Sequence, residues 1–292
     1  MIITRLVGGL GNQMFQYAIG RRLSCMHHVP LKLDISGFKD YTLWTYRLDH
    51  FAIHADIASV PEIEEVKFHS RTGVLRAMGN LVVYSVPYYQ RNIYREPHFF
   101  YDPNILKCKN DVYLEGYWQS EKYFKNIEHL IRSEFTPVTE PDNPNEKMAD
   151  EIRSCESVNL HVRRGDYVSN STTNAYHGTC SLEYYRGAIR IIEKNVINPR
   201  FFIFSDDPLW VRDNINTGHP STIVDFNGPD KDYEDMRLMS LCQHHIIANS
   251  SFSWWSAWLS TNPQKIVIAP KRWFAAQGID TTDLLPESWI RL

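Results

Sequence analysis

From residue 157 onward, short apolar runs alternate with stretches in which apolar side chains recur at helical spacing. Residues 157–162 (Ser-Val-Asn-Leu-His-Val), 201–205 (Phe-Phe-Ile-Phe-Ser), 221–226, 244–249 (His-His-Ile-Ile-Ala-Asn) and 265–269 (Lys-Ile-Val-Ile-Ala) read as strands. Between the first two, Leu182, Tyr185, Ile189 and Ile192 share one face of a helix over 181–196, with Ser181 as its N-cap. Near-continuous apolar strands joined by amphipathic helices imply a parallel sheet covered on both faces, so the second half is expected to be a doubly wound α/β domain. The chain starts in the same way, with a strand over 2–7, the loop Gly8-Gly9-Leu10-Gly11-Asn12-Gln13, and a helix burying Phe15, Ile19, Leu23 and Met26. A second Rossmann-like unit follows from that order. Residues 136–147 hold three prolines and no apolar period, so they read as a linker dividing residues 1–140 from residues 148–292.

Polar clusters fall where the strands end. His161-Val-Arg163-Arg164-Gly-Asp166, Ser205-Asp206-Asp207 and Asn249-Ser250-Ser251 each follow a strand's C-terminal end, the edge at which open α/β sheets bind ligands. An arginine offers five donors in a planar fork and stays charged at any physiological pH, so a pair suits a pyrophosphate. Asn249 or Ser250 also precedes a helix whose free N–H groups can receive a phosphate. The bland alternative is a salt-bridge knot of Arg163 and Arg164 with Asp166. Asp206 and Asp207 as Mg²⁺ ligands is a further reading, which two arginines and a helix N-terminus make redundant. At the first loop, Gly9-x-Gly11 with Asp34 resembles a dinucleotide fingerprint, but Met14 takes the place of the glycine that close helix–strand packing requires.

Composition narrows the classes. A net charge of −3 argues against nucleic acid as the main partner, and no apolar run nears the ~20 residues that span a bilayer. The first residues lack the basic and apolar regions of a signal peptide, so a cytoplasmic location is expected, with peripheral association at the inner membrane face still open. Cysteines at 25, 108, 155, 180 and 242 are odd in number and scattered, which fits reduced thiols better than disulfides or a zinc site. The chain is 13% aromatic, which leaves a sugar-binding protein as one rival reading and, with the glycine motif, a nicotinamide-dependent dehydrogenase as another.

Taken together, Gly8–Tyr17, Glu115-Gly116-Tyr117-Trp118-Gln119-Ser120, His161–Tyr167, Phe204–Asp207 and Ile246–Trp255 resemble the bacterial α-1,2-fucosyltransferases of glycosyltransferase family 11, nearly end to end. The resemblance implies a GT-B architecture, two Rossmann-like domains facing a cleft. It implies GDP-β-L-fucose as donor, a terminal galactose 2-hydroxyl as acceptor, inversion at the anomeric carbon, and no cofactor or metal.

It also implies roles. Arg163 would hold the diphosphate with Ser250, Ser251 and the Phe252 amide, and Arg164 would support the loop or the acceptor side. His161 would lie near the guanine. Related fucosyltransferases carry a guanine-reading aspartate fifteen positions before the first serine of their Ser-Ser motif, which is Asp235 here. One carboxylate can accept both guanine N1–H and N2–H. Asp166 is the candidate general base, although two neighbouring arginines would depress its pKa and suit it equally to a structural role. The glutamate proposed as base in α-1,6 relatives corresponds to Ser171, so the base stays unassigned. Asn12 would position the acceptor, with Gln13 in the same loop and Tyr117 and Trp118 as stacking faces.

Overall fold

The computed structural model describes residues 1–39, 43–68 and 86–292, with all of their side chains except those of Asp166 and Ser169. The chain divides into two units. One comprises Met1–Val138 with Asp280–Leu284, and the other Thr139–Ile279 with Leu285–Leu292.

The first unit is built on strands β1 (Ile2–Arg5), β2 (Leu31–Asp34), β3 (Asp56–Ile57), β4 (Ile93–Arg95) and β5 (Val112–Glu115), all parallel in the order β3-β2-β1-β5-β4. Among the described residues its helices are α1 (Leu10–His27), α2 (Val60–Phe68) and α3 (Glu128–Glu134). Ile2, Phe15, Ile19, Leu23 and Leu114 are fully buried on the α1 side of the sheet, whereas Ile3 packs on the other face with Tyr113 and with Ile63 and Val66 of α2. The close approach of α1 is made at Gly20, where a Cβ would fall 2.3 Å from Thr4 Oγ1 and 2.8 Å from Leu31 Cδ1. That is why Met14 is tolerated in the fingerprint's third-glycine position: the packing glycine sits six residues later. Asp34 holds no ribose site, because it is buried, accepting the Tyr113 hydroxyl at 2.5 Å and the Ser36 N–H at 2.9 Å.

The second unit carries β6 (Ser157–Val162), β7 (Arg200–Ser205), β8 (Ser221–Val224), β9 (His244–Ile246), β10 (Val267–Ala269) and β11 (Ile290–Arg291), all parallel in the order β11-β10-β9-β6-β7-β8. Counted from β6, this is the 3-2-1-4-5-6 order of a doubly wound dinucleotide-type sheet, whose ligand crevice lies between the first and fourth strands. Its helices are α4 (Asn143–Arg153), α5 (Gly165–Ser169), α6 (Ser171–His177), α7 (Leu182–Asn195), α8 (Pro208–Asn214), α9 (Asp232–Leu241) and α10 (Ser251–Leu259). Period-2 alternation along β7 serves both faces: Phe201 and Ile203 join Tyr185, Ile189 and Ile192 of α7, whereas Phe202 and Phe204 join Ile152, Leu238 and Met239 of α4 and α9.

One expectation about boundaries is corrected. The expected linker becomes helix α4 from Asn143, because the Asp142 side chain accepts the Asn145 N–H and Pro144 tolerates the first turn. All five cysteines are free, and no helix among the described residues is long and apolar enough to cross a membrane.

Candidate active site

β6 and β7 run in register to their ends, Val162 beside Ser205, so the residues that follow them meet. Arg163 Nη1 lies 3.0 Å from Asp206 Oδ2, and the Arg164 amide donates to Asp206 Oδ1 at 2.8 Å. Arg164 Nε donates to Asp207 Oδ2 at 3.2 Å, with its guanidinium 4.0 Å over the Trp210 ring. Asp207 also caps α8 by accepting the Trp210 N–H. The two carboxylates considered for Mg²⁺ pair here with the arginines. Gly165 is required here, since a Cβ would fall 2.6 Å from Asp206 Oδ2. Asp166 lies in the first turn of α5, and its side chain is outside the described residues.

Across the strand-order reversal, β9 leads through Ala248 to the N-terminus of α10. Ser250 occupies the N-cap by backbone geometry but its side chain caps nothing, so the first-turn amides are not screened by that hydroxyl. Asn249 does not cap α10 either: it is buried, and its amide donates to the carbonyls of His177, Gly178 and Trp273. Ser251 opens α10, and Phe252 packs half-buried with its ring 5.8 Å from His161.

The tautomer of His161 follows from hydrogen-bond accounting. Fully buried Ser253 accepts the Ala248 N–H at 3.0 Å and lies 2.7 Å from His161 Nδ1. The hydroxyl's single proton then goes to Nδ1, which leaves the ring proton on Nε2. Burial pushes the His161 pKa down to about 4, with Asp206 opposing and Arg163 reinforcing. His161 is thus a neutral donor through Nε2–H at this edge.

Asp235 sits in the first turn of α9, where it accepts Asn227 Nδ2 at 2.8 Å, and Asn227 is held in turn by a reciprocal amide pair with Asn145. Burial raises its carboxyl to about 7, with the Asn227 bond opposing and Asp232 and Glu234 adding to the rise. The competing Glu234 pairs with Arg237 at 3.1 Å. Asp235 stands on a different helix from the arginine and Ser-Ser group.

In the first unit, strand order reverses between β1 and β5, and their following loops are joined there by Gln119 Nε2 donating to Asn12 Oδ1 at 2.8 Å. Gln16 adds a second tie by accepting the Val7 N–H and donating to the Gly116 carbonyl. Gly8 takes φ +79°, and a Cβ there would meet Asn12 Nδ2 at 2.6 Å. Two expectations fail at this edge. Gln13 is fully buried, its amide donating to the Gly8 and Thr45 carbonyls and accepting the Arg47 N–H, so it braces the loop and cannot touch an acceptor. Trp118 is also fully buried, packed on Tyr94 and Tyr123, because its φ of 57° turns the side chain inward. It offers no stacking face. Tyr117 is exposed at 46%. The tryptophans of α10 are likewise core, Trp254 and Trp255 being fully buried, which removes the support for a tryptophan-lined sugar site.

Sequence reasoning missed Glu96, Gln119 and Ser253. Glu96 follows β4 and accepts the amides of Tyr117 at 2.7 Å and Trp118 at 3.0 Å. Its only sequence signal is a carboxylate between a short strand and Pro97.

Comparison with known proteins agrees with this architecture. Residues 78–292 match the model of glycosyl transferase family 11. The chain is 37% identical to an alpha-1,2-colitosyltransferase of Escherichia coli, covering 100% of this chain and 99% of that protein. It is 24% identical to a galactoside 2-alpha-L-fucosyltransferase of Caenorhabditis elegans, covering 91% and 82%. A solved NodZ alpha-1,6-fucosyltransferase soaked with GDP-fucose is similar in fold, with a TM-score of 0.53 at 16% identity over 91% of this chain and 94% of that one. Two Rossmann-like units of the GT-B type, matched along their length in this way, identify the chain as a member of glycosyltransferase family 11.

Proposed function

We propose that the protein transfers L-fucose from GDP-β-L-fucose to the 2-hydroxyl of a terminal galactose, inverting the anomeric carbon and using no metal, in the synthesis of a surface glycan or oligosaccharide. The carrying observation is the furnishing of the second unit's strand-order reversal: two half-buried arginines, a neutral Nε2–H donor and a helix N-terminus without a side-chain cap stand along one strand-end edge. Departure of GDP from a sugar builds negative charge on the β-phosphate, and preorganised donors at that charge are the main catalytic requirement. Arg163, Ser250, Ser251 and the Phe252 amide would meet the diphosphate, Arg164 would hold the loop through Asp207, and Asp235 would accept the two guanine protons. Asn12 and Tyr117 would face the acceptor. One displacement turns a β-linked donor into an α-linked product.

A second donor is favoured by one finding, the 37% identity to a colitosyltransferase. Colitose is L-fucose without its 3-hydroxyl, so the same diphosphate and guanine contacts serve both donors, and the choice rests on whether a polar group awaits that hydroxyl. The test supplies GDP-fucose or GDP-colitose with a β-galactoside in excess EDTA and determines the product by NMR. A fucosyl-α-1,2-galactose product is expected. A β-linked product would overturn the single displacement, transfer to another hydroxyl would overturn the acceptor pose, and loss of activity restored by Mg²⁺ would return Asp206 and Asp207 to metal binding.

A further inference from the structure

The loop Gly116–Ser120 is singled out by its sequence, yet only Tyr117 of it has found a place in the transfer. Its conformation is dictated by Glu96. Both carboxylate oxygens accept loop amides, Tyr117 to Oε2 and Trp118 to Oε1, while Gln16 and Gln119 tie the same loop to that of Asn12. Gly116 permits this close approach of the loop, since a Cβ there would fall 2.9 Å from Glu96 Oε2 and 2.5 Å from Glu96 Cβ.

The other carboxylates at this strand-end edge are committed. Asp34 is buried on Tyr113 and Ser36, and Glu115 pairs with Arg95 at 2.6 Å and Arg5 at 4.0 Å. Glu96 is half-buried, and among the described residues no lysine or arginine pairs with it. Of the ionisable groups, the Tyr123 phenol interacts electrostatically with it, and the Glu96 amide donates to the Glu115 carbonyl of the Arg95–Glu115 pair. We propose that Glu96 is the acceptor-side base of the transfer, an inference resting on the glycosyl-transfer reading above. As the acceptor oxygen bonds to the anomeric carbon, its O–H bond breaks and the proton passes to a Glu96 oxygen. The bond from that carbon to the β-phosphate oxygen breaks, and its electron pair leaves with the nucleoside diphosphate. Burial, against the pull of the two amides, raises the Glu96 carboxyl to about 7, the range in which a general base works best at neutral pH.

The competing role is a brace for the loop alone, and since the Glu96→Gln amide can accept only one of the two loop N–H groups, the roles are separated by the pH profile and by chemical rescue. With general bases typically worth 10²–10⁴-fold, kcat of Glu96→Gln should fall by roughly 10²-fold or more, with GDP affinity within about threefold. In Glu96→Ala, added formate should restore part of kcat. The wild-type kcat should drop on acidification through pH 7 and lose that limb in Glu96→Gln. A Glu96→Gln kcat within threefold of wild type would overturn the proposal, as would a loss expressed in KM or unfolding temperature without formate rescue. A wild-type protein that transfers no sugar from either GDP-sugar would instead overturn the glycosyl-transfer reading beneath it.

Discussion

At the strand-order reversal of the second sheet stand Arg163, Arg164, a buried imidazole and a helix N-terminus. At that of the first stand the amides of Asn12 and Gln119, and the Glu96 carboxylate after the edge strand β4 holds the Tyr117 and Trp118 amides of the Gln119 loop. The backbone solution is shared: parallel strands end together, loops leave the same edge, and glycines at 8 and 165 clear space for a neighbouring side chain. What differs is charge. The second edge keeps two guanidiniums oriented by carboxylates that also bind backbone amides, so the cations are fixed before any ligand arrives. The first edge has a carboxylate held by two backbone amides, which on the proposed reading meets a neutral, proton-losing partner. Topology sets where ligands bind, and the residues just past each strand set which ligand that is.

The largest expected effect breaks the cationic side of this contrast. Arg163→Lys replaces an oriented fork with a point charge, and kcat should fall by an amount corresponding to about 2–4 kcal/mol, the range for losing one oxyanion donor. Near-normal turnover by a folded variant would remove Arg163 from the leaving-group site.

Asp235→Asn should act on GDP affinity, since an amide cannot accept both guanine protons, and calorimetry should show a loss of roughly tenfold. The pH dependence sharpens the test. A carboxyl raised to about 7 in the free protein must lose its proton to bind guanine, so GDP affinity should weaken about tenfold per unit once pH is well below 7. Asp235→Asn should flatten that slope.

A smaller effect is expected at Ser253. In Ser253→Ala, His161 Nδ1 loses its donor and the buried Ala248 amide loses its acceptor, costing about 1–3 kcal/mol of stability. The ¹⁵N spectrum of the His161 ring should show the Nε2–H tautomer in the wild type and a mixture in the variant. An Nδ1–H wild type would overturn the hydrogen-bond assignment.

Much of the fold was legible in the chain. β6 spans the residues its apolar run marks, and Ser181 caps α7 through the Tyr184 N–H, because both signals are local. The strand expected over 244–249 stops at Ile246, since Asn249 turns to bind three carbonyls that only tertiary structure brings near. The arginine and Ser-Ser groups lie at the strand ends where they were expected. Trp118 and Gln13 defeated the reading for one reason: exposure at a loop depends on backbone turns such as φ 57° at a non-glycine residue, which no local pattern announces. Glu96 and Ser253 were hidden because their importance lies in partners far along the chain, Tyr117 for one and His161 for the other.

The contrast between the two edges is tested most directly by GDP titration calorimetry on three proteins: wild type, Arg163→Lys and Asn12→Ala. The account predicts that GDP affinity falls by roughly tenfold or more in Arg163→Lys, as expected for loss of a bidentate charge-assisted contact, and stays within about twofold of wild type in Asn12→Ala. Unchanged affinity in Arg163→Lys together with a marked loss in Asn12→Ala would place the nucleotide on the first unit's edge and contradict the account.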